Sequence, residues 1–136
     1  MEQILHLTNN ISEIAKLSEW AETIAEEVGL SSDKIFQMNL ALEEVVVNVM
    51  SYAYPDQENA EFSVKAETGD NQIRFVIDDT GIPFDPTEVE EPDTSLPIEE
   101  RPVGGLGIML VKQFMKDVTY ERKGNHNLLY LTMTIN

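Results

Sequence analysis

The stretch Ile73-Arg74-Phe75-Val76-Ile77-Asp78-Asp79-Thr80-Gly81-Ile82-Pro83-Phe84-Asp85-Pro86 decides how the chain is read. Its first half alternates, with Ile73, Phe75 and Ile77 on one side, as a half-buried strand requires. The strand then stops on two adjacent acids, Asp78 and Asp79. Two carboxylates at the end of an apolar strand are costly to bury without partners. An ionised carboxylate only accepts hydrogen bonds, which suits it to an exocyclic amine such as that of adenine. Gly81 lets the backbone turn and lets a planar ligand come close. An ordinary acidic turn uses the same residue types, so the stretch acquires meaning only from what surrounds it.

Working upstream, Glu61–Thr68 is a second strand-like run, joined to Gln72–Asp78 by a hairpin turn at Gly69-Asp70-Asn71. Before it, Ser31 caps a long helix that is expected to run to about Tyr54, where Pro55-Asp56 stops it. Its inner side carries Ile35, Met38, Leu42, Val45 and Val49. An earlier helix holds Ile11, Ile14, Leu17, Ile24 and Val28, with Asn10 and Glu13 as a capping box and Gly29 at its end. Trp20 on that helix reads as a core or interface residue. Gln3 to Leu7 alternates and forms a short first strand.

Working downstream, residues 82–103 lack periodicity and hold five of the six prolines, with seven acids against one base, Arg101. A loop of that length in a small domain is a functional lid or a disordered segment. Gly104-Gly105-Leu106-Gly107 then opens a third helix, Ile108 to Lys116. Two strands close the chain, Val118–Arg122 and Leu128–Ile135, joined at Gly124-Asn125. The order β-α-α-β-β-lid-α-β-β predicts an α+β fold. It is a two-layer α/β sandwich with a mostly antiparallel sheet of about five strands and three helices on one face. A length of 136 residues fits one domain, 1–136.

Composition narrows the function. The net charge is −16 and the pI about 4.2, so no surface can neutralise a run of phosphates, and direct nucleic-acid binding is excluded as the main role. The same charge disfavours an anionic membrane surface. Cysteine is absent, which removes disulfides, thiolate nucleophiles and thiolate metal sites. No apolar run reaches the ~20 residues of a membrane span and no basic leader opens the chain, so the expected location is the cytoplasm. His6 and His126 show no partner pattern and read as surface or edge residues.

Two more constellations join the acidic strand end. Glu44 and Asn48 are four residues apart in the apolar stretch Leu40–Met50, which places both on one helix face. A carboxylate there can serve as a general base or orient a nucleophile, and an Asn oxygen suits Mg²⁺. A wet polar helix face would look the same. The glycines at 104–107 expose backbone N–H groups at a helix start, where phosphate is favoured. They form neither a Walker A loop nor a dinucleotide fingerprint, because no Gly-Lys-Ser/Thr follows and no βαβ unit surrounds them.

In this order the three constellations resemble the GHKL, or Bergerat-fold, ATP-binding domains, and among them the anti-sigma-factor serine kinases of the RsbW type. Glu44–Asn48 with Ser51-Tyr52-Ala53-Tyr54-Pro55 resembles the family's N box. Asp79-Thr80-Gly81 through Pro83-Phe84-Asp85-Pro86 is similar to its G1 box. Glu100-Arg101-Pro102 through Gly104-Gly105-Leu106-Gly107-Ile108 is similar to its lid end and G2 box. Tyr52 stands where many relatives have His, and Asn127 where most of the wider superfamily has Thr.

The resemblance implies ATP and Mg²⁺ as cofactors. It makes Glu44 the base for the attacking hydroxyl and gives Asn48 the metal that bridges the phosphates. It gives Asp79 the adenine amine, with Gly81 allowing close approach and Asn127 holding a water against the base. Gly105 and Gly107, with Gly104 and Leu106 in the same run, present amides to the phosphates, and Arg101 reaches the γ-phosphate or the protein substrate. It further implies an ATP-dependent serine/threonine kinase and anti-sigma factor. Such a kinase phosphorylates a small anti-anti-sigma partner of the STAS type, sequesters a sigma factor or similar regulator, and forms a homodimer. The alternative is a non-catalytic module that binds ATP and switches partners without transferring phosphate. The intact Glu44 argues against it.

Overall fold

The computed structural model describes residues 1–88 and 105–136. The elements run β1 (Glu2–Thr8), α1 (Ile14–Glu27), α2 (Ser32–Asn48), β2 (Glu61–Gly69), β3 (Gln72–Asp79), α3 (Gly105–Phe114), β4 (Asp117–Lys123) and β5 (His126–Thr134). The strands form one sheet in the order β1-β2-β3-β5-β4, and every neighbouring pair is antiparallel. The expected α+β architecture and strand count are both found. The last strand enters between β3 and β4, so α3 stands in the chain between a strand at the sheet centre and one at its edge.

The strand alternation decides where the core lies. Leu5, Leu7, Phe62, Val64, Phe75, Ile77, Leu129 and Leu131 all turn to one face and join Leu17, Ile24, Met38, Leu42, Val45 and Val111 from the three helices. Fully burying one such side chain is worth about 1.5–3 kcal/mol against leaving it in water. Trp20 packs edge-on against Phe75 with ring centroids 6.5 Å apart, as a core residue of α1. On the opposite face Ile4 is exposed, and Arg74 lies 4.6 Å over the Tyr130 ring.

The turns follow from their residues. Asp70 and Asn71 both take positive φ, the geometry of a two-residue hairpin between β2 and β3. Gly124 does the same between β4 and β5. Helix α1 ends in a Schellman cap, with Gly29 at φ 81°, Gly29 N–H donating to Glu26 O and Leu30 N–H to Ala25 O.

Several boundaries move from the expected ones. The first helix opens with a 3-10 turn, Ile11–Glu13, before α1 begins at Ile14. The Asn10 side chain caps that turn by accepting from Ser12 N–H. Glu13 does not close the capping box. Its Oε1 instead accepts from Thr8 N–H and Oγ1 at 3.0 and 3.1 Å, tying the end of β1 to the helix start. The second helix is α-helical only to Asn48, and Val49–Ala53 form a π-helical turn. The third helix starts at Gly105, three residues before the expected Ile108. The last strands each extend beyond the ranges read from periodicity, because antiparallel pairing continues to the Gly124-Asn125 turn. Of the expected lid at 82–103, residues 82–88 pack at the sheet end and include a 3-10 turn, Pro86–Glu88. The rest of it lies outside the described residues, as do Arg101 and Gly104.

Candidate functional site

The carboxyl end of α2, the end of β3 and the start of β5 converge on one recess. Its walls are mostly apolar: Val45, Val49, Ala53, Ile77, Ile82, Phe84, Pro86 and Leu129, with Asn48, Asp79, Tyr120 and Asn127 as the polar groups. The recess is narrow, with a cavity volume of about 30 Å³, and opens to solvent. An apolar recess with a few convergent polar groups is the usual form of a small-molecule site.

Asp79 sits in this recess and is only 5% exposed. Its Oδ1 accepts two hydrogen bonds, from Gly81 N–H and from Asn127 Nδ2, each at 2.9 Å. Its Oδ2 bonds to no described residue. The buried acid therefore keeps one acceptor for a ligand. Burial pushes its pKa above the usual carboxylate range, while the Asn127 and Gly81 hydrogen bonds work against that shift.

Gly81 is required by the close approach of two backbones. A side-chain carbon at this position would run into the carbonyl and side chain of Ala53, the last residue of the π-helical turn. Ile82 N–H donates to that same carbonyl at 3.0 Å. Tyr54 completes the joint: its hydroxyl accepts from Thr80 N–H at 2.9 Å and donates to Glu61 O at 3.3 Å. The π turn shifts the register just after Asn48, so that Ala53 and Tyr54 underlie the turn that follows Asp79. Such turns often mark functional positions.

Asn48 and Glu44 lie one turn apart on α2, but they do not line the same space. Asn48 borders the recess, whereas Glu44 faces the first turn of α3. The Glu44 carboxylate occupies the volume that a side chain at Gly107 would fill. Desolvation there pushes the Glu44 pKa up from 4.5. Gly105, Leu106 and Gly107 form that first turn, so their N–H groups lack α-helical partners and point outward at the positive end of the helix dipole. A carboxylate of raised basicity thus sits beside an anion-attracting helix start, about one helical turn from the recess. This arrangement can hold a planar base in the recess, run phosphates toward α3 and place a proton acceptor beside the terminal phosphate.

Asn127 lies in the recess as expected, but its amide is fully used. Nδ2 donates to Asp79 Oδ1 and to Ile82 O, both at 2.9 Å. Oδ1 accepts from Tyr120 OH at 2.5 Å and from Arg122 NH1 at 3.1 Å. Every polar atom of the Asn127 amide is thus engaged within the protein. His126 lies at the surface as its reading has it, with Nδ1 2.6 Å from Asp78 Oδ1 in an exposed pair outside the recess. Sequence reading did not single out Tyr54, Tyr120 or Arg122. The first lies within the stretch that resembles the N box, though no role was given to it there, and the other two meet Asn127 only through strand pairing.

Fold and recess together define an α+β domain with a small-molecule recess at one end of its antiparallel sheet. The chain belongs to the histidine kinase-like ATPase domain family, whose model matches residues 7–133. It is 27% identical over 113 residues to the serine/threonine-protein kinase BtrW of Bordetella bronchiseptica, covering 83% of this chain and 80% of that protein. It is 28% identical over 99 residues to the serine-protein kinase RsbW of Bacillus cereus, covering 70% of this chain and 61% of that protein. A solved structure of the RsbU and RsbW domains of Rv1364c from Mycobacterium tuberculosis superposes with a TM-score of 0.68 at 15% identity. That match covers 98% of this chain and 32% of that one, and it speaks for the fold alone.

Proposed function

We propose that this chain is an ATP-dependent protein serine/threonine kinase acting as an anti-sigma factor. It phosphorylates a small STAS-type anti-anti-sigma partner and sequesters a sigma factor or similar regulator. The observation that carries the reading is the seat of Glu44: a carboxylate made more basic by burial, packed on the glycine start of α3 and one turn from Asn48. The names of the relatives, serine-protein kinases, support the same reaction class.

Adenine enters the recess with its amine on Asp79 Oδ2. The phosphates run toward Gly105 and Gly107, whose N–H groups and helix dipole favour negative charge. Asn48, which borders the recess, would hold Mg²⁺, and the ion would supply neutralising charge to the phosphates. Glu44 accepts the proton of the substrate hydroxyl as its oxygen bonds to the γ-phosphorus. The bond from that phosphorus to the β-bridging oxygen breaks, and ADP carries the electron pair away. Phosphoryl transfer asks mainly for positioning and charge neutralisation, and these groups supply both. Residues 1–136 act as one domain, and the protein works as a homodimer in the cytoplasm.

The test is recovery of partners from cell extract with and without Mg·ATP, followed by mass spectrometry for phosphoserine or phosphothreonine. A small acceptor phosphorylated only with Mg·ATP and wild-type protein is expected. Partners that change with nucleotide but never gain phosphate would refute the kinase and leave a binding module.

A further inference from the structure

We propose that Tyr120 and Arg122, both on β4, are positioning residues that set the purine selectivity of the recess by fixing the amide of Asn127. The proposal rests on the reading of the recess as an adenine site. Neither side chain bonds directly to Asp79. Tyr120 donates its hydroxyl hydrogen to Asn127 Oδ1 at 2.5 Å, and Arg122 donates from NH1 to the same oxygen at 3.1 Å. A second bond from that nitrogen reaches Gly81 O at 3.0 Å.

An amide oxygen has two lone pairs, and here both are occupied from β4. The amide nitrogen must therefore face the other way, toward Asp79 Oδ1 and Ile82 O, and both of its hydrogens are used. With Gly81 N–H also on Oδ1, that oxygen of Asp79 carries two donors. The other oxygen accepts from none of the described residues, and Asp79 borders the recess. The order of contact runs from the edge strand β4 through β5 to the end of β3.

The consequence is chemical. An Asp79–Asn127 pair that presents an acceptor and no spare donor favours a purine with an amine at its 6-position. A 6-carbonyl purine would set acceptor against acceptor, with no group on Asn127 free to mediate. Without the β4 donors the Asn127 oxygen loses its partners, the amide is held through its nitrogen alone, and Asp79 is presented to a 6-amine less firmly. Residues that never touch the base thus decide which base is accepted.

The experiment titrates three nucleotides by calorimetry: ATP, purine riboside triphosphate (which lacks the 6-amine) and ITP (which carries a 6-carbonyl). Arg122→Met and Tyr120→Phe are compared with wild type, and Arg122→Lys serves as the conservative variant. Each β4 variant should weaken ATP by about two- to tenfold, the worth of one net hydrogen bond. Purine riboside triphosphate should stay within about twofold of wild type, because the lost interaction acts on the amine. The margin between ATP and ITP should narrow, and Arg122→Lys should restore part of it. Equal weakening of all three nucleotides would assign the pair a scaffold role and overturn the proposal, as would unchanged ATP affinity in both variants. If Arg122→Met fails to fold, Tyr120→Phe removes a single hydroxyl and decides alone. Wild-type protein that does not distinguish ATP from purine riboside triphosphate would instead refute the adenine site itself.

Discussion

Gly107→Ala should make the protein more stable and less active at once. Gly107 is the third residue of α3 and its φ is not in the left-handed region, so alanine suits the backbone. Replacing a helical glycine by alanine gains about 0.5–1 kcal/mol, because alanine loses less backbone freedom on folding. The added methyl, however, falls where the Glu44 carboxyl carbon and Oε1 now lie. Those atoms are the far end of a flexible side chain and can swing away with little strain, so the stability gain survives. The displaced carboxylate no longer stands beside the γ-phosphate. A general base contributes about 10²–10⁴-fold, and a misplacement of about 1 Å can cost 10²-fold. Transfer to the acceptor should therefore fall by at least ~10²-fold, while Mg·ATP affinity stays within about threefold because the backbone N–H of residue 107 remains. The assays are thermal unfolding, calorimetry with Mg·ATP and single-turnover transfer from γ-labelled ATP. The double variant with Glu44→Gln should be no slower than the slower single variant, since both remove the same function. Transfer at the wild-type rate in Gly107→Ala would refute the idea that the seat of Glu44 matters.

Three other outcomes follow from the same geometry. Asp79→Asn keeps the acceptor for Gly81 and Asn127 but turns a donor toward the recess, so ATP binding should weaken by about 1.5–3 kcal/mol. The folded-state pKa of Asp79 is raised above 3.8, so ionisation costs stability at pH above it, and the unliganded variant should melt at or above the wild-type temperature at neutral pH. Gly81→Ala forces a methyl into the Ala53 backbone, which cannot swing aside, and should cost about 1–3 kcal/mol in denaturant unfolding together with lost ATP binding. The acid limb of the transfer rate should lie above pH 4.5, because Glu44 must be ionised to accept a proton and burial raises its pKa. A limb at or below 4.5 would remove Glu44 as the titrating base.

Much of this was legible in the residues because it rests on local period and spacing. The alternation through Ile73, Phe75 and Ile77 marks both the strand and its buried face, and Phe75 and Ile77 are indeed among the core residues. The four-residue spacing of Glu44 and Asn48 needs only helical geometry. The π turn at Val49–Ala53 was not legible. Met50 and Ala53 are three apart and both buried, so the apolar pattern continues smoothly through a change of hydrogen bonding. Asn127 was recognised by position, but its four partners come from β3, β4 and the turn after β3. Those contacts depend on sheet register, which sequence spacing does not carry. Glu13 shows a similar limit: the motif suggested a local box, and a neighbouring strand end took the carboxylate instead.

The most direct measurement is single-turnover transfer from γ-labelled ATP to the recovered acceptor, with wild type and Glu44→Gln in parallel under saturating Mg·ATP. Wild-type protein should place one label on a serine or threonine of the acceptor. Glu44→Gln should bind nucleotide with similar affinity and transfer about 10²–10⁴-fold more slowly. Equal rates for the two proteins would contradict the role of Glu44, and no label from wild type would contradict the kinase itself.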